Sequence, residues 1–304
     1  MKDKMAISLF KIKKWTNMIL GRSSYHVNQT EGKCYSVNQI KGYYNNLTEK
    51  ITRFQVPGNE IPITHHDNGT VEYFSIAIFQ YGLAAYDLWI LNNDKSNLEK
   101  FKNCVDWAME NQENSGAWKT FDKQNSKHPY SAMAQGEGIS LLVRAYVMYK
   151  NESYLHAAER AADFLLKDRT EGGVCEHLNS QLFLYEFTYL PIVLNGWIFA
   201  AWGLFDIYKI TQKKIYEDSW ICTINTIASN LSLFDCKYWS KYNLAGNISS
   251  PFYHKLHIAQ LKVLYMITGN RVFFEYAARW EKQLSNKLYF GYAFLKKCIQ
   301  KIME

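Results

Sequence analysis

A repeated pair of helical patterns runs through most of this chain. From about residue 71 onward the apolar residues recur every three or four positions, and short polar breaks separate an apolar segment from an amphipathic one. Such pairs span residues 136–168, 196–228 and 257–284, and an earlier copy joins YFSIAIFQYGLAAYDLWI to NLEKFKNCVDWAMENQ. The copies recur about every sixty residues, and this spacing indicates an architecture of repeated helix hairpins.

The two segments of each pair differ in how their apolar residues are distributed. The first is apolar around nearly its whole circumference, whereas the second carries a charged face, as a ring of inner and outer helices requires. We therefore predict an all-α fold, an α/α toroid of about four helix hairpins forming an incomplete α/α barrel, with short β-hairpins between pairs. The toroid should occupy residues 63–304. Residues 1–62 should form an irregular or partly β N-terminal extension that is not a separate domain.

The composition favours a helical protein that attracts anions. Only five prolines and sixteen glycines interrupt the chain, and aromatic residues reach 16%, which suits a helical protein with an aromatic-lined groove. Lysine and arginine outnumber aspartate and glutamate by 35 to 28, a mild positive excess. An acidic polymer as partner is one interpretation and solubility alone is the other. No nucleic-acid partner is predicted.

The cysteines and the N-terminal residues bear on the compartment. Six cysteines lie without CxxC spacing, so neither a zinc ribbon nor a disulfide framework is indicated, and we expect reduced thiols. Residues 1–20 are basic but contain no apolar run long enough for a signal peptide or a membrane span, which favours a cytoplasmic protein, with a location at the membrane face left open. Their apolar residues alternate with lysines, so they could form either a peripheral membrane helix or one packed on its own domain. A homodimer is also left open.

A pocket is expected where the inner helices begin, because unpaired N–H groups and positive dipole ends converge there. The stretch SPFYHKLHIAQL contains one such start, with Ser250 as the N-cap and Pro251 at the first helical position. Tyr253 then falls in the first turn, and His257 follows it on the same face. A first-turn position should lower the pKa of Tyr253, since helix-end effects reach about 2 kcal/mol.

The two histidines of this stretch invite a metal-site interpretation. His254 and His257 are spaced i, i+3 and could bind a metal together with a nearby carboxylate, but they lack the HExxH spacing. We therefore expect no metal and no other cofactor. His254 is predicted to be a packed, hydrogen-bonded residue and His257 a supporting donor beneath Tyr253.

Other inner helices begin in a comparable way. Pro191 opens the apolar helix PIVLNGWIFAAWGLFDIY, and Glu186 lies on the segment leading to it. Another inner helix starts near Ser131. The predicted ring therefore brings a carboxylate, several phenols and an imidazole to one mouth. The candidate substrate-contacting residues around it are His257, Arg144, Tyr130, Tyr185, Gln135, Asn195 and Trp239.

Several of these candidates also have a structural interpretation. Arg144 lies on an apolar helix, where a charge is costly unless paired, so it could instead form a buried ion pair with Glu137 or another carboxylate. Gln135 and Asn195 could simply tie helices together. Trp239 could equally belong to the core or stack on a sugar.

At this point the sequence resembles the D-glucuronyl C5-epimerase family, and specifically its C-terminal helical domain. The resemblance covers about residues 60–285. It rests on these stretches in this order: QYGLAAYD, YSAMAQGEGISLLVRAY, LYEFTYLPIVLNGWIFAAWGLFDIY, WSKYNLA, and FYHKLHIAQL with its trailing AARW. In that family a glutamate and tyrosines exchange the C5 proton of a uronic acid residue within a polymer. Matching the motifs assigns the glutamate to Glu186 and the tyrosines to Tyr253 and Tyr242.

Two departures from the family pattern concern the charge of the site. The family usually has a tyrosine directly after the glutamate, where Phe187 stands here. Its usual Y-D-L-R reads Tyr242-Asn243-Leu244-Ala245, which removes a carboxylate and a cation. The charge balance at the substrate carboxylate must therefore differ from that of the family.

Inverting C5 of a hexuronic acid needs one group that removes a proton and another that returns it on the opposite face. The resemblance therefore implies an epimerase acting on D-glucuronic acid residues of an anionic polysaccharide, with Glu186, Tyr253 and Tyr242 as catalytic residues. A polysaccharide lyase is the alternative, because β-elimination begins with abstraction of the same proton. A catalytically silent glycan-binding scaffold is a third possibility, given Phe187, Asn243 and Ala245.

Overall fold

The structure is a computed structural model that describes residues 26–53, 56, 60–65 and 71–303. The proposed N-terminal amphipathic helix falls within residues 1–25 and lies outside the described residues. The secondary structure comprises, in chain order, α1 (Glu49–Arg53), β1 (Thr64–His65), β2 (Val71–Glu72), α2 (Ser75–Asn92), α3 (Lys95–Asn111), α4 (Ala132–Tyr149), α5 (Glu152–Leu165), β3 (Cys175–Leu178), β4 (Gln181–Leu184), α6 (Leu194–Thr211), α7 (Lys214–Asn230), α8 (Pro251–Thr268), α9 (Arg271–Ser285) and α10 (Lys287–Met303).

Four helix hairpins form the predicted double-layered arrangement. The inner helices α2, α4, α6 and α8 each contain 18 residues, so each runs about 27 Å. Helix α6 is buried without interruption from Leu194 to Ile207, whereas the outer helix α9 buries a single stripe. The all-α toroid predicted from the periodicity is confirmed.

Each hairpin turns in the same way. Every inner helix ends at a residue in the left-handed conformation whose backbone N–H bonds back to the last turn, and these residues are Asn93, Lys150, Gln212 and Gly269. In three hairpins the next residue is an Asp or Asn that caps the outer helix. The equal inner lengths and shared turns align the helix starts at one end of the ring.

The predicted β-hairpin between pairs is present as β3 and β4. These strands pair in antiparallel register from Cys175 with Leu184 to Leu178 with Gln181. Asn179 and Ser180 at the tip both have positive φ, as a two-residue hairpin turn with the right twist requires. Strand β4 ends two residues before Glu186, so this rigid hairpin sets the position of that carboxyl group.

The N-terminal segment closes the opposite end of the ring. Tyr44 donates its hydroxyl hydrogen to Asp206 Oδ1 at 2.6 Å, and the Tyr43 N–H donates to Asp87 Oδ1 at 2.8 Å. Arg144 bonds both Asp206 Oδ2, at 2.6 Å, and the carbonyl of Gly42, at 3.0 Å. These contacts make the segment part of the core of the helical region.

The charged residues of this closed end occupy equivalent places in the repeat. Asp87, Arg144 and Asp206 are each the thirteenth residue of their inner helix. Among the described residues, no helix has the length and apolar character needed to cross a bilayer.

Candidate functional site

A cavity of about 520 Å³ lies where the inner helices begin, as expected from the sequence. All four inner helices contribute residues from their first two turns, and these are Ile76, Ala77, Gln80, Met133, Asn195, Phe199, Phe252, Tyr253 and Leu256. Its remaining walls include Lys50 of the N-terminal segment, Glu186 and Tyr242. A groove of this size can hold a sugar residue.

Tyr253 enters the cavity from the predicted helix start. Ser250 Oγ accepts a hydrogen bond from the Tyr253 N–H at 3.4 Å, and Pro251 occupies the first helical position. The Tyr253 hydroxyl lies 3.4 Å from Nε2 of His26. The Ser250 cap and Pro251 therefore set where α8 begins, and its first turn places Tyr253 in the cavity wall.

Tyr242 is held beside Tyr253 by backbone hydrogen bonds. Its N–H donates to the carbonyl of Asn247 at 2.6 Å, and its carbonyl accepts from the Leu194 N–H at the start of α6. The two tyrosine rings pack against each other, with centroids 4.8 Å apart. The two side chains thus form a contacting pair.

Glu186 is a buried carboxyl group in the same cavity wall. Its side chain lies against Gly196, where an added Cβ would stand 2.2 Å from Glu186 Oε2. Oε2 is buried and has no hydrogen-bond partner among the described residues. Burial raises the pKa of Glu186 to about 8, because removal from water penalises the charged form. The carboxyl group can therefore switch its protonation state near neutral pH.

The prediction that the helix start lowers the pKa of Tyr253 is wrong. Burial raises the pKa of Tyr253, and the charge of Glu186 adds to the increase. Burial likewise raises the pKa of Tyr242 well above its usual value. A helix end supplies at most about 2 kcal/mol, and the loss of hydration around this phenol outweighs it. Both tyrosines are therefore neutral hydrogen donors in the free protein.

The cavity thus contains one titratable carboxyl group beside the phenols of Tyr242 and Tyr253, which can donate protons. Glu186 is close enough to both tyrosines for its charge to affect their pKa values. Burial raises the pKa values of all three groups, and perturbed pKa values in a cavity are typical of acid–base sites. The arrangement is suited to moving a proton onto or off a bound molecule.

Of the seven predicted substrate-contacting residues, Asn195 alone lines the cavity among the described residues. Its backbone carbonyl accepts from Nε2 of Gln260 at 3.1 Å, and its side-chain oxygen is buried and has no hydrogen-bond partner among the described residues. The structure places the other six predicted residues outside the cavity lining.

Trp239 and Arg144 belong to the core. Trp239 is fully buried, stacks on His254 with ring centroids 3.7 Å apart, and donates its indole N–H to the Ser249 carbonyl at 3.0 Å. Arg144 lies at the closed end of the ring, where it pairs with Asp206. The structure therefore does not support either as a substrate contact, since packing and ion pairing already engage these side chains.

Tyr130 and Tyr185 face the outside of the cavity wall. The Tyr130 hydroxyl donates to Glu113 Oε2 at 2.7 Å, and the Tyr185 hydroxyl bonds to Glu176. The guanidinium group of Arg169 also lies over the Tyr185 ring, 4.2 Å from its centroid. These contacts hold both phenols away from the cavity.

Gln135 and His257 are fully buried behind the cavity lining. Gln135 Nε2 lies 3.4 Å from the Trp118 carbonyl. His257 Nδ1 lies 3.0 Å from Ser240 Oγ, and burial lowers its pKa well below the usual value, so its ring is neutral. Its place beneath Tyr253 in α8 agrees with the prediction, but it does not reach the cavity surface.

His254 is packed and hydrogen-bonded, as predicted. Its Nδ1 accepts from the Ser240 N–H at 3.1 Å, and its Nε2 lies 3.0 Å from the Trp280 carbonyl. Within the described part of the chain, no cluster of three His, Cys, Asp or Glu residues is placed to hold a metal ion.

The irregular N-terminal segment also contributes to the cavity wall, which was not predicted from the sequence. His26, Gln29 and Lys50 line the cavity, although no periodicity in that region indicated where its side chains point. Phe187 also lines the cavity and stacks on Phe121, with ring centroids 4.6 Å apart. The position where the family usually has a phenol is therefore occupied by an apolar ring pair.

Comparison with known proteins adds a family and relatives. Residues 102–282, more than half of the chain, match the family described as D-glucuronyl C5-epimerase C-terminus. A D-glucuronyl C5-epimerase of Caenorhabditis elegans is 27% identical over 226 residues, which are 65% of this chain and 35% of that protein. An uncharacterized protein of Methanocaldococcus jannaschii is 26% identical over 167 residues, which are 52% of this chain and 53% of that protein. The chain thus spans about a third and about half of these two relatives.

Solved structures with similar folds share little sequence with this chain. Unsaturated glucuronyl hydrolase from Bacillus sp. GL1 has a TM-score of 0.48 and 14% identity, covering 78% of this chain and 64% of that one. Endo-beta-1,4-glucanase CMCax from Acetobacter xylinum has a TM-score of 0.48 and 13% identity, covering 73% of this chain and 72% of that one.

Proposed function

Because the chain belongs to the D-glucuronyl C5-epimerase C-terminal family, we propose that it inverts C5 of D-glucuronic acid residues to L-iduronic acid within an anionic polysaccharide. The observation that carries the proposal is the buried Glu186 carboxyl group beside the Tyr242–Tyr253 pair in one cavity. The nematode relative is a D-glucuronyl C5-epimerase, which supports the reaction type. The uronic-acid polymer is the only partner that the proposal requires.

The reaction begins with ionised Glu186 as the base. It removes the C5 hydrogen as a proton, and the C–H electron pair moves into the adjacent substrate carboxylate. Tyr253 then donates its hydroxyl proton to C5 from the opposite face, so that one C–H bond breaks and another forms with inverted configuration. The raised pKa of Tyr253 makes the resulting phenolate a strong base, which takes up a proton from solvent, while Glu186 releases to solvent the proton that it removed from C5. These two transfers restore the starting state.

Tyr242 assists in this scheme through its contact with Tyr253, whose ring centroid lies 4.8 Å away. Burial keeps Tyr242 protonated, so it can donate a hydrogen bond to a Tyr253 phenolate when that forms during the reaction. Tyr242 is therefore assigned the role of preparing Tyr253 to release its proton.

The test follows the C5 hydrogen of a uronic-acid polymer incubated with the protein in deuterated water. Deuterium should appear at C5 without unsaturated chain ends. Glu186→Gln and Tyr253→Phe should abolish the exchange, whereas Tyr292→Phe, which removes an exposed phenol on α10, should leave it unchanged. Ultraviolet-absorbing unsaturated ends would instead identify a lyase. Absence of exchange with the wild-type protein would favour a silent glycan-binding scaffold.

A further inference from the structure

The lining of the cavity contains few charged residues. Among the described residues that line it, Lys50 is the only lysine or arginine and Glu186 is the only acidic residue. Burial raises the pKa of Glu186 to about 8, so at neutral pH its carboxyl group is mostly protonated. The formal charge that the lining presents to a ligand at neutral pH therefore comes mainly from Lys50.

Lys50 is placed at this wall by the short helix α1. The residue is 2% exposed, an uncommon state for a lysine, since burying an ammonium group is costly. Burial lowers the pKa of Lys50 to about 8, and the nearby Glu137 favours its charged form. Lys50 thus remains largely cationic at neutral pH.

Lys50 also lies near the reacting groups. Glu137 is close enough to both Lys50 and Glu186 for its charge to interact with each of them. Gln80, which lines the cavity, donates to Glu137 Oε1 at 2.7 Å and so holds that carboxyl group in place. A sugar residue whose C5 meets Glu186 can therefore present its carboxylate towards the ammonium group.

The proposed chemistry places its largest change of charge on that carboxylate. When the C5 hydrogen leaves as a proton, the electron pair moves into the carboxylate, whose negative charge grows as the bond breaks. A preorganised cation stabilises this state more than the ground state, and a buried cation does so more strongly than one in water.

We propose that Lys50 forms the subsite that binds the carboxylate of the reacting uronic acid residue. This assignment rests on the proposed function, because it places the sugar in the cavity with C5 at Glu186. It also explains how a chain with Ala245 in place of the arginine of the family pattern can hold an anionic substrate. The cation comes from the N-terminal segment instead.

The experiment measures the affinity of the full chain for two ligands by isothermal titration calorimetry. One is a glucuronic-acid-containing oligosaccharide, and the other is its carboxyl-reduced counterpart, in which glucose replaces glucuronic acid. Wild-type protein should bind the acid more tightly. Lys50→Met should weaken binding of the acid by roughly 10- to 100-fold, because loss of one hydrogen bond to a charged group changes an affinity by about this factor. Binding of the reduced ligand should stay unchanged.

Control variants separate local charge from net charge and folding. Lys41→Met removes the same charge from an exposed position of the same segment and should preserve the preference for the acid. Lys50→Arg keeps the cation and should retain much of the preference. If Lys50→Met does not fold, the pair Lys50→Met and Glu137→Gln removes both interacting charges and provides the same comparison.

The possible outcomes distinguish the two proposals. A Lys50→Met protein that prefers the acid as strongly as wild type would overturn the Lys50 subsite and leave the proposed epimerase intact. A wild-type protein that binds neither ligand and exchanges no C5 hydrogen would overturn the proposed function, and the Lys50 assignment with it.

Discussion

Replacing Glu186 by glutamine should stabilise the protein while abolishing its activity. The structure buries this carboxyl group, with 7% of the residue exposed, and gives Oε2 no hydrogen-bond partner among the described residues. Glutamine has nearly the same shape and needs no ionisation. The variant therefore removes the cost of burying an ionisable acid without changing the packing against Gly196.

The magnitude follows from the pKa of Glu186. Burial raises it from an ordinary value of 4.5 to about 8, so the folded state binds a proton that the unfolded state releases. Below pH 4.5 the raised pKa does not change the free energy of unfolding. Between pH 4.5 and the folded-state pKa it lowers the free energy of unfolding by about 1.4 kcal/mol for each pH unit. At pH 7 the Glu186→Gln protein should be more stable by about 3 kcal/mol, and the gain should level off above about pH 8.

The assay is urea unfolding of both proteins at several pH values between 4.5 and 9, alongside C5 exchange. Glu110→Gln, which replaces an exposed glutamate, serves as the control and should change the free energy of unfolding little. A Glu186→Gln protein that is no more stable at pH 8 than at pH 5, relative to wild type, would refute the reasoning. Such a result would mean that Glu186 is ionised and compensated in the folded state.

Three further predictions concern the same architecture. Exchange measured as kcat/KM should rise as pH increases towards about 8, because only ionised Glu186 accepts the proton, and should fall above it as Lys50 loses its charge; a profile that is flat below pH 8 would remove Glu186 as the base. Gly196→Ala places a Cβ 2.2 Å from Glu186 Oε2 and should lower kcat by about 10²-fold. Gly291→Ala, whose Cβ meets nothing within 4 Å, should leave kcat unchanged, and equal kcat values for the two variants would contradict this prediction. Arg144→Met should lower the free energy of unfolding by about 3–5 kcal/mol by leaving Asp206 buried without its partner, and a loss below about 1 kcal/mol in urea unfolding would show that the pair is not a structural requirement.

Local signals in the sequence predicted the fold and the start of α8 well. The pattern of apolar residues depends on helix geometry, so it indicates inner and outer helices directly. Ser250 and Pro251 act on their own helix, and the cap forms as predicted. The family resemblance supplied Glu186, Tyr242 and Tyr253, which the structure places together.

The position of Arg144 along its helix was also visible in the sequence. Arg144 is the thirteenth residue of α4, about 18 Å from the helix start where the cavity lies. Counting along the predicted helix would have placed it near the closed end. Trp239 is different, because whether a tryptophan near the cavity faces inward or into the core depends on its contact with His254, which periodicity does not encode.

The contribution of Lys50 and the raised pKa of Tyr253 both depend on long-range packing. Lys50 lies in a segment without periodicity, and its burial results from how that segment crosses the ring. The helix start of Tyr253 is visible in the sequence, but the surrounding burial that outweighs it is not. Effects confined to one helix were therefore predictable, whereas those set by neighbouring elements were not.

The proposed inversion of C5 in glucuronic acid residues exchanges one hydrogen of the sugar. The most direct measurement is proton and carbon NMR of a glucuronic-acid polymer after incubation with wild-type protein in deuterated water. We predict iduronic acid signals whose C5 positions carry deuterium, with the chain length unchanged. A polymer that retains both its C5 hydrogen and its glucuronic acid configuration would contradict the account.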